Sequence, residues 1–136
     1  MTGGVLVIFA DPVHPDEFLD LVEEVGGERT PDHWANGRLS RGWQHVWVTV
    51  PPDCNPYFEP EDLEVYEKKM GAPMLTWAQL DISSTKGSDA LAMELIEAAA
   101  RRWRLIVDND HGEVFSVEEL RGFPPDRLPF GGRSRR

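Results

Sequence analysis

Apolar and polar side chains follow strand-like patterns in several short segments. Residues 5–10 form a continuous apolar run rich in branched side chains, which predicts a buried central strand. Residues 36–52 predict a hairpin that turns near Arg41-Gly42, and its second arm alternates apolar and polar positions. Residues 74–82 alternate in the same way, and residues 104–108 predict a further strand.

Three other segments place apolar residues at helical spacing. Residues 14–27 have Pro15 in the first turn, which suits a helix start. Residues 60–71 carry only a thin apolar stripe, which predicts a peripheral helix. Residues 87–103 have a broad apolar face, and we expect Ser88 to cap this helix.

The order of these segments predicts an α+β fold. We expect a two-layer sandwich with a ferredoxin-like antiparallel sheet, helices on one face and one inserted helix. A chain of 136 residues fits one domain, which we place at residues 1–130. Residues 131–136, GGRSRR, would then be a flexible basic tail.

Composition narrows the classes of partner. The 24 acidic residues outnumber the 14 lysines and arginines, and the formal net charge is −10. Such a chain repels nucleic acid and anionic membranes and attracts a basic partner. Cys54 is the only cysteine, and neither a secretory signal nor a membrane-spanning segment is apparent. We therefore expect a soluble cytoplasmic protein that contacts neither nucleic acid nor membrane.

Residues 107–120, VDNDHGEVFSVEEL, hold five carboxylates and a histidine. Asp108 and Asp110 begin like a calcium loop, and Glu119 falls at the twelfth position. The fifth position lacks an oxygen ligand, however, and the sixth lacks the glycine that the loop requires. Turn residues followed by the capping pair Ser116 and Glu119 predict instead a hairpin and a short capped helix.

Motifs of metal binding and nucleophilic catalysis are missing from the sequence. The four histidines are scattered rather than closely spaced, unlike the ligands of zinc sites. Cys54 lies in an acidic loop, which disfavours a reactive thiolate, and no serine stands in a nucleophile elbow. We expect no catalytic residue, no metal site and no cofactor.

Aromatic and polar side chains share the predicted outer face of two strands. If the helices cover only the other face, Trp47 and Trp77 form an aromatic platform that a protein partner, a small ligand or a second copy of the chain would occupy. The alternative is that the inserted helix or residues 121–130 cover it. The outer positions are His45, Trp47, Thr49, Trp77, Gln79 and Asp81.

A second candidate surface is acidic and lies within residues 53–67. Acidic side chains mixed with aromatic ones are typical of surfaces that hold a basic protein. The alternative is a solvated helix face whose first-turn carboxylates favour the helix start. Its members are Asp53, Tyr57, Phe58, Glu59, Glu61, Asp62, Glu64, Tyr66 and Glu67.

The segments LTWAQLDIS, GSDALAMELIEAAARRW and VDNDHGEVFSVEEL carry a resemblance to known proteins. Together they cover about residues 74–120 and resemble the C-terminal half of small α+β proteins of high-GC bacteria. Some similar proteins are regarded as immunity proteins of polymorphic toxin systems. The resemblance implies a non-enzymatic protein that binds and blocks another protein, and it identifies no functional residue.

We therefore predict an acidic protein-binding module, such as an immunity protein or inhibitor, that occludes a basic partner such as a toxin. The alternative is a small-molecule-binding protein or minor enzyme that uses the aromatic face, with His45 and Asp81 as acid and base. A permanent subunit contact or a homodimer through the same face is a third alternative. The predicted partner-binding residues are Trp47, Trp77, Tyr57, Glu59, Glu61, Asp62, Glu64 and Asp81.

Overall fold

The computed structural model describes residues 3–51 and 58–130 of the chain. These residues form a seven-stranded antiparallel sheet and four helices, which confirms the α+β prediction. The strands are β1 (Gly3–Phe9), β2 (Glu28–Arg29), β3 (Gly37–Arg41), β4 (Gln44–Thr49), β5 (Thr76–Ile82), β6 (Leu105–Asp108) and β7 (Val114–Ser116). The helices are α1 (Pro15–Glu24), α2 (Pro60–Met70), α3 (Ser88–Ala100) and α4 (Val117–Arg121).

The strands lie in the order β2-β3-β4-β5-β1-β6-β7, and each neighbouring pair is antiparallel. The apolar run at the start of the chain becomes β1, with β5 and β6 on its two sides. Val7 lies opposite Ala78 of β5 and Val107 of β6, and all three are at most 1% exposed. This part of the sheet is therefore buried, as the pattern predicted.

The larger core lies between one face of the sheet and the helices α1 and α3. Alternate residues of β1 and β4 point into it, including Val46 and Val48, which are both fully buried. The predicted alternation of the second hairpin arm is thus confirmed. Phe18 and Val22 of α1 and Leu95 of α3 pack against this face.

A smaller core lies on the opposite face, beneath α2. Leu6 and Ile8 of β1 point to this side because neighbouring side chains alternate, and they pack with Tyr66 and Met70 of α2. A continuous apolar strand has apolar side chains on both faces, so both faces need cover.

The ferredoxin-like two-layer sandwich is not confirmed, since the sheet has seven strands and α2 covers part of its second face.

Two local predictions have different outcomes. Ser88 is not the cap of α3: Gly87 takes that position with φ of 93°, and the buried Ser88 hydroxyl pairs with the Ser83 hydroxyl at 2.6 Å. The hairpin and capped helix of the acidic stretch are confirmed. Ser116 Oγ accepts from the Glu119 backbone N–H at 3.1 Å, and the Glu119 carboxylate accepts from the Ser116 N–H at 2.8 Å.

Over the described ranges, no helix combines the length and the apolar composition that crossing a membrane requires.

Candidate functional site

The face of the sheet that carries α2 is divided into a covered part and an uncovered part. Helix α2 packs over β6 and β7 and over Leu6 and Ile8 of β1. Trp77 of β5 lies within this covered part and is only 6% exposed. The Phe58 ring meets the Trp77 ring edge-on, with ring centroids 5.1 Å apart. The prediction of an open platform that contains both tryptophans is therefore wrong, because Trp77 is buried in the smaller core beneath α2.

Strand register separates Trp47 from Trp77. Trp47 of β4 lies opposite Asp81, and Thr49 lies opposite Gln79. The ladder between β4 and β5 ends at that second pair, so Trp77 lies beyond it and pairs only with β1. The predicted neighbours of Trp47 are thus partly right, since Asp81 and Gln79 adjoin β4 and Trp77 does not.

Trp47 is the centre of a group of four rings and one guanidinium that we call the Trp47 cluster, made of Trp47, His33, Trp34, Arg38 and His45. The His33 and Trp47 rings stack with centroids 4.4 Å apart and an interplanar angle of 7°. The Arg38 guanidinium lies 5.1 Å from the centre of the Trp47 ring, a cation–π contact. Trp47 is half-buried, whereas Trp34 is 61% exposed. Trp34 is therefore the exposed tryptophan of the cluster.

The sequence interpretation missed three members of this cluster. Arg38 lies directly opposite Trp47 in the observed register of β3 and β4, which the prediction of a turn near Arg41-Gly42 did not determine. His33 and Trp34 lie in the loop between β2 and β3, where no periodicity indicates which way a side chain points. Only the fold brings them to Trp47.

His45 and Asp81, the alternative acid and base, have separate partners. His45 Nδ1 and the Ser40 hydroxyl are 2.7 Å apart, and the Asp81 carboxylate accepts from Gln79 Nε2 at 3.2 Å. No hydrogen bond among the described residues joins His45 to Asp81. Burial raises the pKa of Asp81, and the Gln79 hydrogen bond partly opposes that rise. The arrangement places an isolated carboxylate beside Trp47 rather than a paired acid and base.

Helix α2 presents the predicted acidic side chains to solvent. Glu59, Glu61, Asp62 and Glu64 are all exposed. Asp62 also has a local role, since its carboxylate accepts from the Glu59 backbone N–H at 3.2 Å and holds the start of the helix. Glu61 and Glu64 form no ion pair with any described residue, which leaves their charges available to a partner.

A cavity of about 290 Å³ lies between α2 and the turn that joins β6 to β7. Among the described residues, its charged lining consists of Asp62, Asp108 and Asp110 and includes no lysine or arginine. The Tyr66 hydroxyl donates to the Asp108 carboxylate, whose other oxygen accepts from the Asp110 N–H at 2.7 Å. Burial, followed by the hydrogen bond to Asp108, raises the pKa of Tyr66. The cavity is therefore suited to a positively charged group with an apolar stem.

Over the described ranges, no three His, Cys, Asp or Glu side chains converge in a way that would hold a metal ion. Tyr57, Cys54 and residues 131–136 lie outside the described residues.

Comparison with known proteins gives no relative. No protein family model, no curated protein and no solved structure matches the chain.

Proposed function

We propose that the chain is a protein-binding module that uses its acidic α2 side to meet and occlude a basic surface of another protein. An immunity protein or inhibitor of a toxin is the form of this function that the resemblance of residues 74–120 favours. The proposal rests on one observation. Helix α2 carries exposed carboxylates, of which Glu61 and Glu64 form no ion pair with any described residue, and the same helix lines an acidic cavity on the face of the sheet that holds the Trp47 cluster.

The charges of this face would act first, during approach. Complementary fields raise association rates and fall off with salt, because ions screen exposed charges over about 8 Å at physiological ionic strength. Glu61 and Glu64 on α2 would steer a basic partner towards the face. A lysine or arginine of that partner would then enter the cavity beside Asp108 and Asp110, with its alkyl stem against Val65.

Exposed apolar side chains of α2 and of the Trp47 cluster would supply contact area once the partner has arrived. Leu63 and Val65 on α2 are 39% and 49% exposed, and Trp34 of the Trp47 cluster is 61% exposed. Tryptophan is enriched among residues that dominate protein interfaces, and an apolar centre with a charged rim is the usual anatomy of such contacts. Trp77 takes no part in this scheme, because it is buried inside the protein.

Capture from the lysate of the native host tests the proposal when the wild type is compared with two charge-reversal variants. The first is Glu61→Lys/Glu64→Lys on α2. The second is Glu118→Lys/Asp126→Lys, which reverses two exposed carboxylates that belong to the α4 side of the protein. Both variants change the net charge by the same amount, so only the location of the charge differs.

We expect one stoichiometric partner that the wild type and the α4-side variant retain at low salt. The α2 variant should lose it, and high salt should release it from all three proteins. Purified partner should associate at least about tenfold more slowly with the α2 variant at low salt. Equal capture by both variants would contradict the proposal, and so would the absence of any partner at either salt concentration.

A further inference from the structure

The acidic cavity between α2 and the turn from β6 to β7 lies close to the last residues that the structure describes. Asp108 and Asp110 of this turn line the cavity. Asn109, which stands between them, is 3% exposed, and its side-chain amide donates to the carbonyl of Pro129 at 3.1 Å. Pro129 is therefore held beside the turn, and residues 131–136 begin two positions later in the sequence.

Residues 131–136, GGRSRR, and the cavity are opposite in charge. The segment carries three arginines and no acidic residue, whereas residues 1–130 hold all 24 acidic residues and the other 11 lysines and arginines. The charged residues in the described lining of the cavity are all aspartates. Opposite charges attract most strongly where low-dielectric walls surround them, so the cavity is a favoured place for an arginine of this segment.

The length of chain after Pro129 is sufficient to reach the cavity. An extended residue spans at most about 3.6 Å, so the four residues from Pro129 to Arg133 span at most roughly 14 Å. Phe130 belongs to the main core, on the side of the sheet away from α2, so the chain has to pass the end of β6 to reach the cavity. Glycine adopts either sign of φ, and Gly131-Gly132 therefore permits the sharp turn that this path needs.

The lining of the cavity matches an arginine side chain more closely than a metal ion. Among the described residues, Asp62, Asp108 and Asp110 do not converge in a way that would hold a metal. A guanidinium presents five donors in a planar fork, so it can bond to carboxylates that lie apart. The rings of Phe58 and Tyr66, whose centroids are 5.8 Å apart, also line the cavity. Guanidinium groups stack on such rings, so the cavity supplies both charge and aromatic surface.

We infer that residues 131–136 bind in the acidic cavity of the same chain, with an arginine side chain at Asp108 and Asp110. The inference rests on the proposed function, because it gives this segment the cavity that a basic group of the partner would enter. A segment tethered by a short linker has an effective concentration on the order of millimolar, so even a weak contact is populated. The segment therefore competes with the partner, which has to displace it in order to bind.

Proton–nitrogen correlation NMR spectra of the full chain test this inference without any partner. Arg133→Gln/Arg135→Gln/Arg136→Gln, the triple-glutamine variant, removes the three charges of the segment. At low salt, its backbone amide signals from residues 110–112 should differ from those of the wild type. The difference should disappear in about 1 M salt, where charges are screened over about 3 Å.

A matched control removes three other cations. Lys86→Gln/Arg101→Gln/Arg104→Gln changes the net charge by the same amount, at exposed positions that do not line the cavity. The signals from residues 110–112 should keep their wild-type positions in this control.

The acetylated peptide GGRSRR, added to the same proteins, locates the contact. It should shift the signals from residues 110–112 of the triple-glutamine variant saturably. The wild type should need at least about threefold more peptide, because its own segment competes. Asp62→Asn/Asp110→Asn, made in the triple-glutamine variant, should weaken the peptide at least about threefold. Asparagine tolerates the φ of 62° at Asp110 and can still accept the hydrogen bond that Asp62 receives from the Glu59 N–H, so the fold should persist.

Four results would each overturn the inference. They are identical signals from residues 110–112 in the wild type and the triple-glutamine variant at low salt, equal shifts in the control variant, equal peptide affinity of the wild type and the triple-glutamine variant, and peptide affinity that Asp62→Asn/Asp110→Asn leaves unchanged. None of them bears on the capture of a partner through α2, so this inference can fail while the proposed function stands.

Discussion

The hydroxyl of Tyr66 links α2 to the sheet. Its removal tests how much this hydrogen bond stabilises the smaller core beneath α2. Tyr66 is 2% exposed, its ring packs against Phe58 with centroids 5.8 Å apart, and its hydroxyl donates to the Asp108 carboxylate. Tyr66→Phe keeps the ring and deletes only this donor. A hydrogen bond to a charged group contributes about 1.5–3 kcal/mol to stability. Asp108 is only half-buried, so we expect the lower end, about 1.5 kcal/mol.

Urea unfolding at neutral pH, followed by tryptophan fluorescence, measures this loss. A double-mutant cycle with Asp108→Asn assigns it to the pair, and we expect a coupling of about 1 kcal/mol between the two positions. A loss below about 0.5 kcal/mol, or additive effects of the two changes, would refute the assignment of this contact as a stabilising link.

The same contact predicts a pH dependence with a definite sign. Burial and Asp108 raise the pKa of Tyr66 in the folded protein above its ordinary value of 10.0, so the contribution of Tyr66 is complete below that pH. Above it, the unfolded chain loses the proton first, and the stability of the wild type falls relative to Tyr66→Phe. Other groups titrate equally in both proteins and cancel in the difference. A difference that stays constant from about pH 8 to about pH 11 would contradict the raised pKa.

Four other substitutions test separate features of the fold. Burial raises the pKa of Asp81 and so disfavours its charged form. Asp81→Asn should therefore raise the free energy of unfolding at neutral pH and leave it unchanged below the ordinary carboxyl pKa of 3.8. Urea titrations at neutral and acidic pH measure both free energies. Gly27→Ala should destabilise by about 1–3 kcal/mol in urea, since its Cβ would lie 2.6 Å from Val22 Cγ1 and 2.7 Å from a backbone oxygen; an unchanged midpoint would contradict this packing. Trp77→Ala should lower stability by about 3–5 kcal/mol, and Trp34→Ala by less than about 0.5 kcal/mol, because Trp77 is buried and Trp34 is exposed. Thermal melting of both variants measures the contrast, and similar losses of stability would disprove it.

Periodicity predicted those parts of the fold in which one face of an element is buried. Alternation within residues 44–50 identified Val46 and Val48 as core residues, because a strand with one apolar face has only one register that buries it. The capping pair Ser116 and Glu119 identified α4 for a similarly local reason, since both hydrogen bonds form within four residues.

The sequence left the placement of α2 open, since cover of the outer face by this helix was the alternative to an open platform. The thin stripe of α2, in which Tyr66 and Met70 are buried, indicates a peripheral helix but not the face of the sheet on which it lies. That choice depends on Leu6 and Ile8 of β1, which need cover on the side away from α1 and α3. The burial of Trp77 follows from the position of α2 on this face. Because α2 was not placed there, Trp77 was wrongly predicted to belong to an open site.

The Trp47 cluster was half predictable for a related reason. Trp47 and His45 lie on the same face of β4, because side chains alternate along a strand. His33 and Trp34 reach Trp47 from a loop, and loop geometry depends on turn chemistry and tertiary contacts rather than on a repeating pattern.

The two edges of the sheet bear on how copies of the chain meet one another. The sheet ends in β2, of two residues, and in β7, of three residues, so neither edge offers a long row of unpaired backbone groups. Short edge strands are one of the means by which proteins prevent edge-to-edge pairing and aggregation. Among the described residues, a second copy could extend this sheet at either edge by only a short ladder of hydrogen bonds. The brevity of these two strands therefore disfavours edge-to-edge association between copies of the chain.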